Sequence, residues 1–350
     1  MRFLLNDTRG LKVGSTRIWT HNLLGWLGEL GCDASLNDWE HYRDYDVAIF
    51  GKSVPLERYR AAKQQNPGLL CGRINPSDRG EENREILKRA DFYVVGSIEE
   101  QDYYRQYQRN AFIIPLVETC FRKTKVHEDH EPIVLGYHGD LQHLTEFRPF
   151  LTSALEQLAR ETPIKLLVVY NKRGSRWKVW DRGSRWKVGR PKIEIEEVQW
   201  ELETIEEQLL RCDVGLVPGL VSIGNEEQAQ ALACLEQVRE GSGGRENDYL
   251  LRFKCNSNAG RAFVFHQLGV PVVADFVPSN FHILGDPRNG FLAHSTQGWL
   301  YALEELCSSV EMRREMADRA AEAFRRLYDP MVWCGRFCED LARLKAGASV

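Results

Sequence analysis

The clearest candidate for a chemical site in this sequence is a helix start that is flanked by two cations. Lys254 and Arg261 bracket the beginning of a helix predicted over 260–268, which Ser257 or Asn258 can cap. A helix N-terminus offers unpaired backbone N–H groups and partial positive charge, so two flanking cations there indicate a phosphate or diphosphate ligand. The alternative is that both cations are solvated charges around an ordinary βα unit.

A turn with the sequence GYHGD follows another predicted strand. Gly136 and Gly139 have no Cβ, so the backbone at these positions can come close to a phosphate or a sugar. His138 within the turn and His143 beyond it can bind sugar hydroxyls or a diphosphate, although a histidine at a strand end is also commonly a packing residue. Asp140 closes the turn.

Strands and helices alternate along the chain, as they do in βαβ units. The apolar runs that predict buried strands are RFLLN, YDVAIF, LLCGRIN, FYVVGS and NAFIIPL, then PIVLGYHG, IKLLVVY, KIEIEEV, DVGLVPG and VPVVAD. A polar, charged stretch from Glu118 to Glu131 separates the two sets. We therefore expect an α/β protein with two domains, 1–125 and 126–330, whose parallel sheets face a ligand-binding cleft.

Composition narrows the class of protein. The chain has 350 residues, a net charge of -4 and no basic block, which argues against a protein held on nucleic acid by phosphate contacts. It contains no run of about eighteen apolar residues, and its opening, MRFLLNDTRG, predicts a strand and a turn rather than a signal peptide. We expect a soluble, cytoplasmic protein.

Cysteines and paired aspartates give weaker signals. The nine cysteines are scattered through apolar segments, which is typical of reduced core thiols. Cys334 and Cys338 fall on one face of a predicted helix, where we favour buried packing over a metal or redox pair. The D-x-D string from Asp44 to Asp46 enters a predicted strand, where a turn is favoured over a metal site, and we expect no metal.

Three segments interrupt the βα pattern. The string RGSRWKV occurs at 173–179 and again at 182–188, and two copies are too few for a solenoid. An insertion over 224–247 combines a helix-like part with GSGG, which suits either a mobile flap or an ordinary surface excursion. The arm after Pro330 places apolar residues at helical spacing and should pack on another element.

The order of these segments resembles a GT-B glycosyltransferase, similar to members of glycosyltransferase family 4. The matching pieces are GYHGD with the histidine that follows it, CDVGLVP, the cationic helix start with GVPVVA, DPRNGFLAHSTQGWLYAL and RREMADRAAEAFRRLY. The resemblance implies two Rossmann-like domains with parallel sheets facing an interdomain cleft. It makes 1–125 the acceptor domain and 126–330 the nucleotide-sugar donor domain, with the arm 331–350 packing back on the first.

The resemblance also implies an activity, the transfer of a sugar from a nucleotide-sugar donor to a hydroxyl of a glycan, glycolipid or small molecule. Negative charge develops on the departing diphosphate and must be stabilised. We assign this work to Lys254 and Arg261, with His138 as the third catalytic candidate. The donor-binding candidates are Gly136, Gly139, Asp140, His143, Gln199, Trp200, Asn258, Gly260 and Asp275.

Base and acceptor contacts follow from the same resemblance. It places the nucleobase at the loop 198–200, where Gln199 can read the base edge and Trp200 can either stack, for about 1–3 kcal/mol, or serve in packing. Between the first strand and the first helix, a polar segment opens towards the expected cleft. Its acceptor-binding candidates are Ser15, Thr16, Arg17 and His21.

The chain departs from family 4 at two glutamates that many members carry. The matching positions are Asn256 and Val264, neither of which is a carboxylate, so Asp275 or Asp248 is the substitute for the acidic sugar contact. We expect retention of anomeric configuration, in which the departing phosphate takes the acceptor's proton. An inverting reaction would need a base, for which His21 and Asp7 are the candidates.

Two further readings stay open at this point. A GT-B epimerase would turn over the nucleotide sugar without an acceptor, whereas an inactive GT-B protein would bind a sugar or scaffold another enzyme. The two cations at the helix start favour the transferase. The sequence leaves open the oligomeric state and, through the basic and aromatic repeat, a peripheral contact with a membrane.

Overall fold

A computed structural model describes residues 1–140, 144, 149–172, 190–219 and 258–347. The chain divides into two compact units. The first unit comprises Met1–Arg122, Cys255–Val264 and Ala323–Val350, and the second comprises Lys123–Lys254 and Phe265–Glu322. Each unit contains one six-stranded sheet in which every recorded pairing is parallel.

The sheet of the first unit has the spatial order β2-β1-β3-β4-β5-β6. Its strands are β1 (Arg2–Asn6), β2 (Asp33–Leu36), β3 (Val47–Phe50), β4 (Leu70–Ile74), β5 (Phe92–Val95) and β6 (Ala111–Ile113). The helices of this part of the chain are α1 (Gly14–Thr16), a π-helical turn (Arg17–His21), α2 (Asn22–Glu29), a 3-10 turn (Tyr42–Asp44), α3 (Leu56–Gln65), α4 (Glu81–Arg89) and α5 (Ile98–Tyr104). Crossover helices of this kind are what parallel neighbours require.

The sheet of the second unit has the spatial order β12-β11-β10-β7-β8-β9. Its strands are β7 (Ile133–His138), β8 (Ile164–Tyr170), β9 (Glu194–Gln199), β10 (Val214–Val217), β11 (Val272–Asp275) and β12 (Phe291–Ala293). The helices from here to the C-terminal arm are α6 (Pro149–Leu158), α7 (Ile205–Leu210), α8 (Gly260–Gln267), α9 (Pro278–Leu284), α10 (Thr296–Ser308), α11 (Val310–Leu327) and α12 (Pro330–Lys345).

Apolar strand residues form a separate core in each unit. The central strands are buried along their whole length, as in Val47–Phe50 of the first sheet and Val214–Val217 of the second. Such strands read as continuous apolar runs because helices cover both faces of a parallel sheet. The expected α/β architecture with two parallel sheets is confirmed. Within the described ranges, no helix combines the length and the apolar character that a membrane crossing demands.

The C-terminal helix α12 packs within the first unit. The ring of Phe337 is edge-on to Phe92 at a centroid distance of 6.0 Å and to Phe112 at 5.7 Å. Near the end of the helix, Lys345 pairs with Asp46, whose carboxylate also accepts the backbone N–H of Arg2 at 2.8 Å. The second aspartate of the D-x-D string is thus held in an ion pair and a backbone hydrogen bond.

Three cysteines lie together at this helix. Cys334 is fully buried, while Cys338 is half-buried with its Sγ 4.0 Å from the Sγ of Cys32. Burial, followed by the nearby Cys338 thiol, raises the pKa of Cys32. The hydrogen bond with Cys334, followed by burial, raises the pKa of Cys338 against the opposing effect of Cys32. These are free thiols, as the sequence predicts for core cysteines.

A buried histidine on α8 makes the stability of the second unit depend on pH. His266 has no solvent exposure, neither ring nitrogen has a hydrogen-bond partner among the residues that the structure describes, and burial lowers its pKa to about 3. Below about pH 6.5 this histidine is protonated in the unfolded chain, whereas in the folded chain it stays neutral down to about pH 3. The contribution of His266 to stability is therefore fully present above about pH 6.5 and is lost progressively as the pH falls from about 6.5 towards 3. At pH 5 the loss is about 2 kcal/mol.

We therefore expect His266→Leu to remove this acid sensitivity, because leucine fills the site without a titrating ring. Urea unfolding of both proteins at several values between pH 7.5 and 4.5 measures the difference. The exposed His294, changed to leucine, is the control and should leave the pH dependence as it is in the parent protein. An unchanged pH dependence in His266→Leu would contradict the assignment.

Candidate functional site

The carboxyl end of β7 forms the GYHGD turn in the second unit. Gly139 has a φ of 114°, which a residue with a side chain rarely adopts, and its N–H donates to the carbonyl of Val169 at 3.1 Å. Asp140 is exposed at the end of the turn, and its carbonyl accepts the hydroxyl of Tyr137. The turn is therefore anchored to β8 and to its own strand, with its acidic end in solvent.

Gly136 lies inside β7 and not in the turn. It pairs with Gly215 of β10, and the ring of Phe265 packs on both. A Cβ at Gly136 would overlap the side chain of Cys212, and a Cβ at Gly215 would come within 2.5 Å of Cδ2 of Phe265. Close packing of strand and helix accounts for Gly136, and its contact with a donor stays a prediction.

His138 is the last residue of β7 and is nearly buried, with 9% of its surface exposed. Its ring meets the ring of Phe265 edge-on at a centroid distance of 5.0 Å. Packing therefore fixes the imidazole at the carboxyl end of a central strand, which is the edge where open α/β sheets bind ligands. Its catalytic role stays a prediction.

The loop at 198–200 follows the edge strand β9. The side-chain amide of Gln199 donates to Oδ1 of Asn171 at 3.3 Å and to the carbonyl of Trp200 at 2.7 Å. The N–H of Trp200 donates to the carbonyl of Tyr170 at 2.8 Å. Both side chains are half-buried, so the loop is held against β8 while part of each surface is accessible.

Asp275 ends β11 and is nearly buried, with 4% of its surface exposed. Its Oδ2 accepts the N–H of Gly219 at 2.7 Å, and its carbonyl accepts the side-chain amide of Asn280 at 3.0 Å. The carboxylate thus joins the loop after β10 to the end of β11. This gives Asp275 a structural contact in addition to the sugar contact that the resemblance suggests.

The cationic helix start belongs to the first unit up to Val264. Asn258 accepts the N–H of Gly260 through Oδ1 at 3.2 Å and donates through Nδ2 to Oε1 of Glu100 at 3.3 Å. Phe263 packs on Phe324 and Tyr328, with the latter ring at 4.4 Å. The start of α8 is therefore fixed by an amide on one side and by aromatic rings on the other.

Arg261 lies in the first turn of α8 and is half-buried. The structure therefore places one of the two predicted cations at a helix N-terminus, where an anion is favoured. Several other predictions fall on residues that lie outside the described ranges. They are Lys254, His143, Asp248, Asn256, the repeat at 173–188 and the insertion at 224–247.

Glu100 is a buried carboxyl group that the sequence analysis did not identify. Its Oε2 accepts the N–H of Gly96 at 2.7 Å, and 5% of the residue is exposed. Burial raises the pKa of Glu100 to about 7, against the opposing effect of its Gly96 and Asn258 hydrogen bonds. The signal was present in the sequence as Ser97-x-x-Glu100, a capping box, and Ser97 Oγ does accept the N–H of Glu100 at 3.1 Å.

The acceptor candidates lie on α1 and the π-helical turn. Ser15 and His21 are half-buried, and burial lowers the pKa of His21 against the attraction of Asp7. Thr16 is fully buried, and its hydroxyl has no hydrogen-bond partner in the part of the chain that the structure describes. Of these three, Ser15 and His21 keep a surface that an acceptor can reach.

Arg17 is held in a buried ion pair. Its Nε donates to Oε1 of Glu118 at 3.2 Å, its Nη2 pairs with Oε2, and its Nη1 donates to the carbonyl of Leu11 at 3.4 Å. The side chains of Arg17 and Glu118 are 8% and 3% exposed. The guanidinium therefore stabilises the loop after β1, and its contact with an acceptor stays a prediction.

Solved glycosyltransferases match the chain over nearly its whole length. A sucrose-phosphate synthase from Thermosynechococcus elongatus is 12% identical with a TM-score of 0.63, covering 99% of this chain and 100% of its own. HepE from Anabaena in complex with UDP is 11% identical with a TM-score of 0.63, covering 98% and 100%. A glycosyltransferase from Rickettsia africae is 10% identical with a TM-score of 0.62, covering 99% of each chain.

No protein-family model matches the sequence. No curated protein matches it either. At these identities the structural matches establish the fold, which is the α/β GT-B type with two Rossmann-like parallel sheets.

Proposed function

We propose that this protein is a glycosyltransferase that moves a sugar from a nucleotide-sugar donor, with UDP as the first nucleotide to test, to an acceptor hydroxyl. The observation that carries the proposal is the match over both sheets to HepE, which has been solved with UDP and, at a TM-score of 0.61, with UDP-glucose. The acceptor class on this proposal is a glycan, a glycolipid or a small molecule.

The start of α8 supports a donor diphosphate. As the bond between sugar and phosphate breaks, negative charge grows on the departing diphosphate, and preorganised donors and cations lower the barrier. Arg261 in the first turn supplies one cation, and Asn258 fixes the turn by its two amide contacts. We assign Lys254 to the second cation.

The second sheet supports the sugar and base contacts. His138, Asp140 and Asp275 lie at or just beyond the carboxyl ends of β7 and β11, which are ligand-binding edges in open parallel sheets. We assign the base to the loop with Gln199 and Trp200. We also propose a family 4-like, retaining reaction without a metal, in which the departing phosphate accepts the proton of the acceptor hydroxyl.

A thermal unfolding titration with UDP, GDP, dTDP and ADP tests the proposal. A nucleotide that binds only the folded protein stabilises it by about 2.7 kcal/mol at a hundred times its Kd, so the unfolding midpoint rises with concentration. We expect the rise with UDP and its sugar conjugates. The absence of a rise with every nucleotide would contradict the proposal, and turnover of the nucleotide sugar without an acceptor would favour an epimerase.

A further inference from the structure

Three loops meet at the carboxyl edge of the first sheet. They follow β1, β3 and β4, which are adjacent in the sheet, and each carries an arginine or lysine, namely Arg9, Lys52 and Arg79. The loop after β4 is also conformationally restricted, because Asn75 has a φ of 49° and Gly80 a φ of 87°. Such left-handed residues cluster at functional sites.

The buried Arg73 and the half-buried Asn83 link the second and third loops through hydrogen bonds. Arg73 donates to the carbonyl of Lys52 and, at 3.2 Å, to Oδ1 of Asn83. Asn83 in turn donates through Nδ2 to the carbonyl of Arg79 at 2.7 Å. The backbones that carry Lys52 and Arg79 are therefore held by one hydrogen-bonded chain.

Asn6 and Asp7 fix the first loop to the second. The N–H of Arg9 donates to Oδ1 of Asp7 at 3.0 Å, and the N–H of Gly51 donates to the carbonyl of Asn6 at 2.7 Å. Gly51 packs directly on the carboxylate, since a Cβ there would come within 2.5 Å of Cγ of Asp7. Lys52 follows Gly51, so the chain segments that carry Arg9 and Lys52 are neighbours where they leave the sheet.

The charges at this edge are mainly positive. Arg73 is 1% exposed, and within the described ranges neither it nor Lys52 nor Arg79 forms an ion pair with a carboxylate. Lys52 is an exposed residue, but partial desolvation of its ammonium group lowers its pKa, and the positive charges of Arg79, Arg9 and Arg73 lower it further, against the attraction of Glu100. Nε of Arg9 lies 3.7 Å from Oδ1 of Asp7, yet this nitrogen is shielded from solvent and has no hydrogen-bond acceptor in the described part of the chain.

The acids beside these cations are already engaged. Asp7 accepts the hydroxyl of Thr20 at 3.2 Å in addition to the N–H of Arg9. Asp78 accepts the hydroxyl of Tyr103. Cations that are gathered on fixed loops without a matching set of carboxylates repel one another, and an anionic ligand removes that repulsion.

We propose that Arg9, Lys52 and Arg79 bind an anionic group, a phosphate or a carboxylate, on the acceptor. That the ligand is the acceptor rests on the proposed function, whereas the anion site itself is argued from the geometry of the first unit alone. A negatively charged acceptor is thereby selected over its neutral counterpart, because the neutral molecule leaves the cations unpaired.

Binding measurements on the full chain test the site. Isothermal titration with inorganic phosphate, a hexose phosphate, the matching uronic acid and the neutral hexose is run in the presence of saturating UDP, so that the donor diphosphate site is occupied. We expect at least one of the two anionic sugars to bind at least tenfold more tightly than the neutral hexose. Equal affinity for all three sugars would overturn the proposal.

Matched variants separate this site from general charge effects. Lys52→Ala with Arg79→Ala should raise the Kd for the anionic sugar at least tenfold, whereas Lys88→Ala with Arg89→Ala, an equal loss of charge from the exposed end of α4, should not. Thermal unfolding verifies that both double variants are folded. Anion binding that survives Lys52→Ala with Arg79→Ala overturns the site.

The two proposals fail in different ways. If none of the nucleotides binds the parent protein, the glycosyltransferase assignment fails, and the same variants still report on the anion site without a nucleotide. If UDP binds but Lys52→Ala with Arg79→Ala behaves like the control, the assignment of the anion site fails while the donor assignment stands.

Discussion

Replacing Arg261 with alanine is expected to lower kcat/KM for the preferred nucleotide sugar at least tenfold, a loss of about 1.4 kcal/mol or more of transition-state stabilisation. The reason is the place of Arg261 in the first turn of α8, where its charge adds to the partial positive charge of the helix N-terminus. The charge on the diphosphate grows as the sugar leaves, so the loss should appear in kcat as well as in binding.

Initial rates with a saturating acceptor measure this effect. Arg288→Ala is the matched control, because Arg288 is an exposed arginine that pairs with Asp286 at the surface of the second unit. Its rates should equal those of the parent protein. If Arg261→Ala also retains full activity while folded, the helix start is not the diphosphate site.

Replacing Arg17 with alanine is expected to lower the free energy of unfolding by about 3–5 kcal/mol. Glu118 would then stay buried, with 3% of its side chain exposed, and would lose the guanidinium that neutralises it. The loop after β1 would also lose the hydrogen bond from Arg17 to the carbonyl of Leu11. Urea unfolding at neutral pH measures the change.

A double variant gives the control for this prediction. Arg17→Met with Glu118→Met removes both charges and keeps most of the buried volume, so much of the lost stability should return. A single variant that loses less than about 1 kcal/mol would show that the pair contributes little in its surroundings. A rise in acceptor KM in the stable double variant would support the acceptor contact.

Most strands could be predicted from the sequence, because a parallel strand that is covered by helices on both faces consists of consecutive apolar residues. The sequence patterns did not predict two of the strands, β2 and β12. The residues of Asp33–Leu36 are polar in part and none is fully buried, and Phe291–Ala293 has only one buried residue. Both lie at the edge of a sheet, where one side lacks a neighbour and the pattern of burial is incomplete.

The positions of candidate residues at the edge of a sheet were predictable from topology, while their roles stay predictions. Because the carboxyl ends of parallel strands share an edge, a polar residue just after an apolar run, such as His138 or Asp275, is placed correctly. Pairing across distant segments was not predictable. Arg17 meets Glu118 and Asn258 meets Glu100 through the tertiary fold, and no local spacing encodes such contacts.

The packing of α12 has a consequence for how the protein is made. The rings of Phe92 and Phe112 are synthesised early, but their partner Phe337 leaves the ribosome only after the entire second unit. The first unit is therefore the first to be synthesised in part and the last to be completed. The apolar surface of Phe92 and Phe112 stays uncovered until α12 has been synthesised, whereas the second unit can already fold during translation.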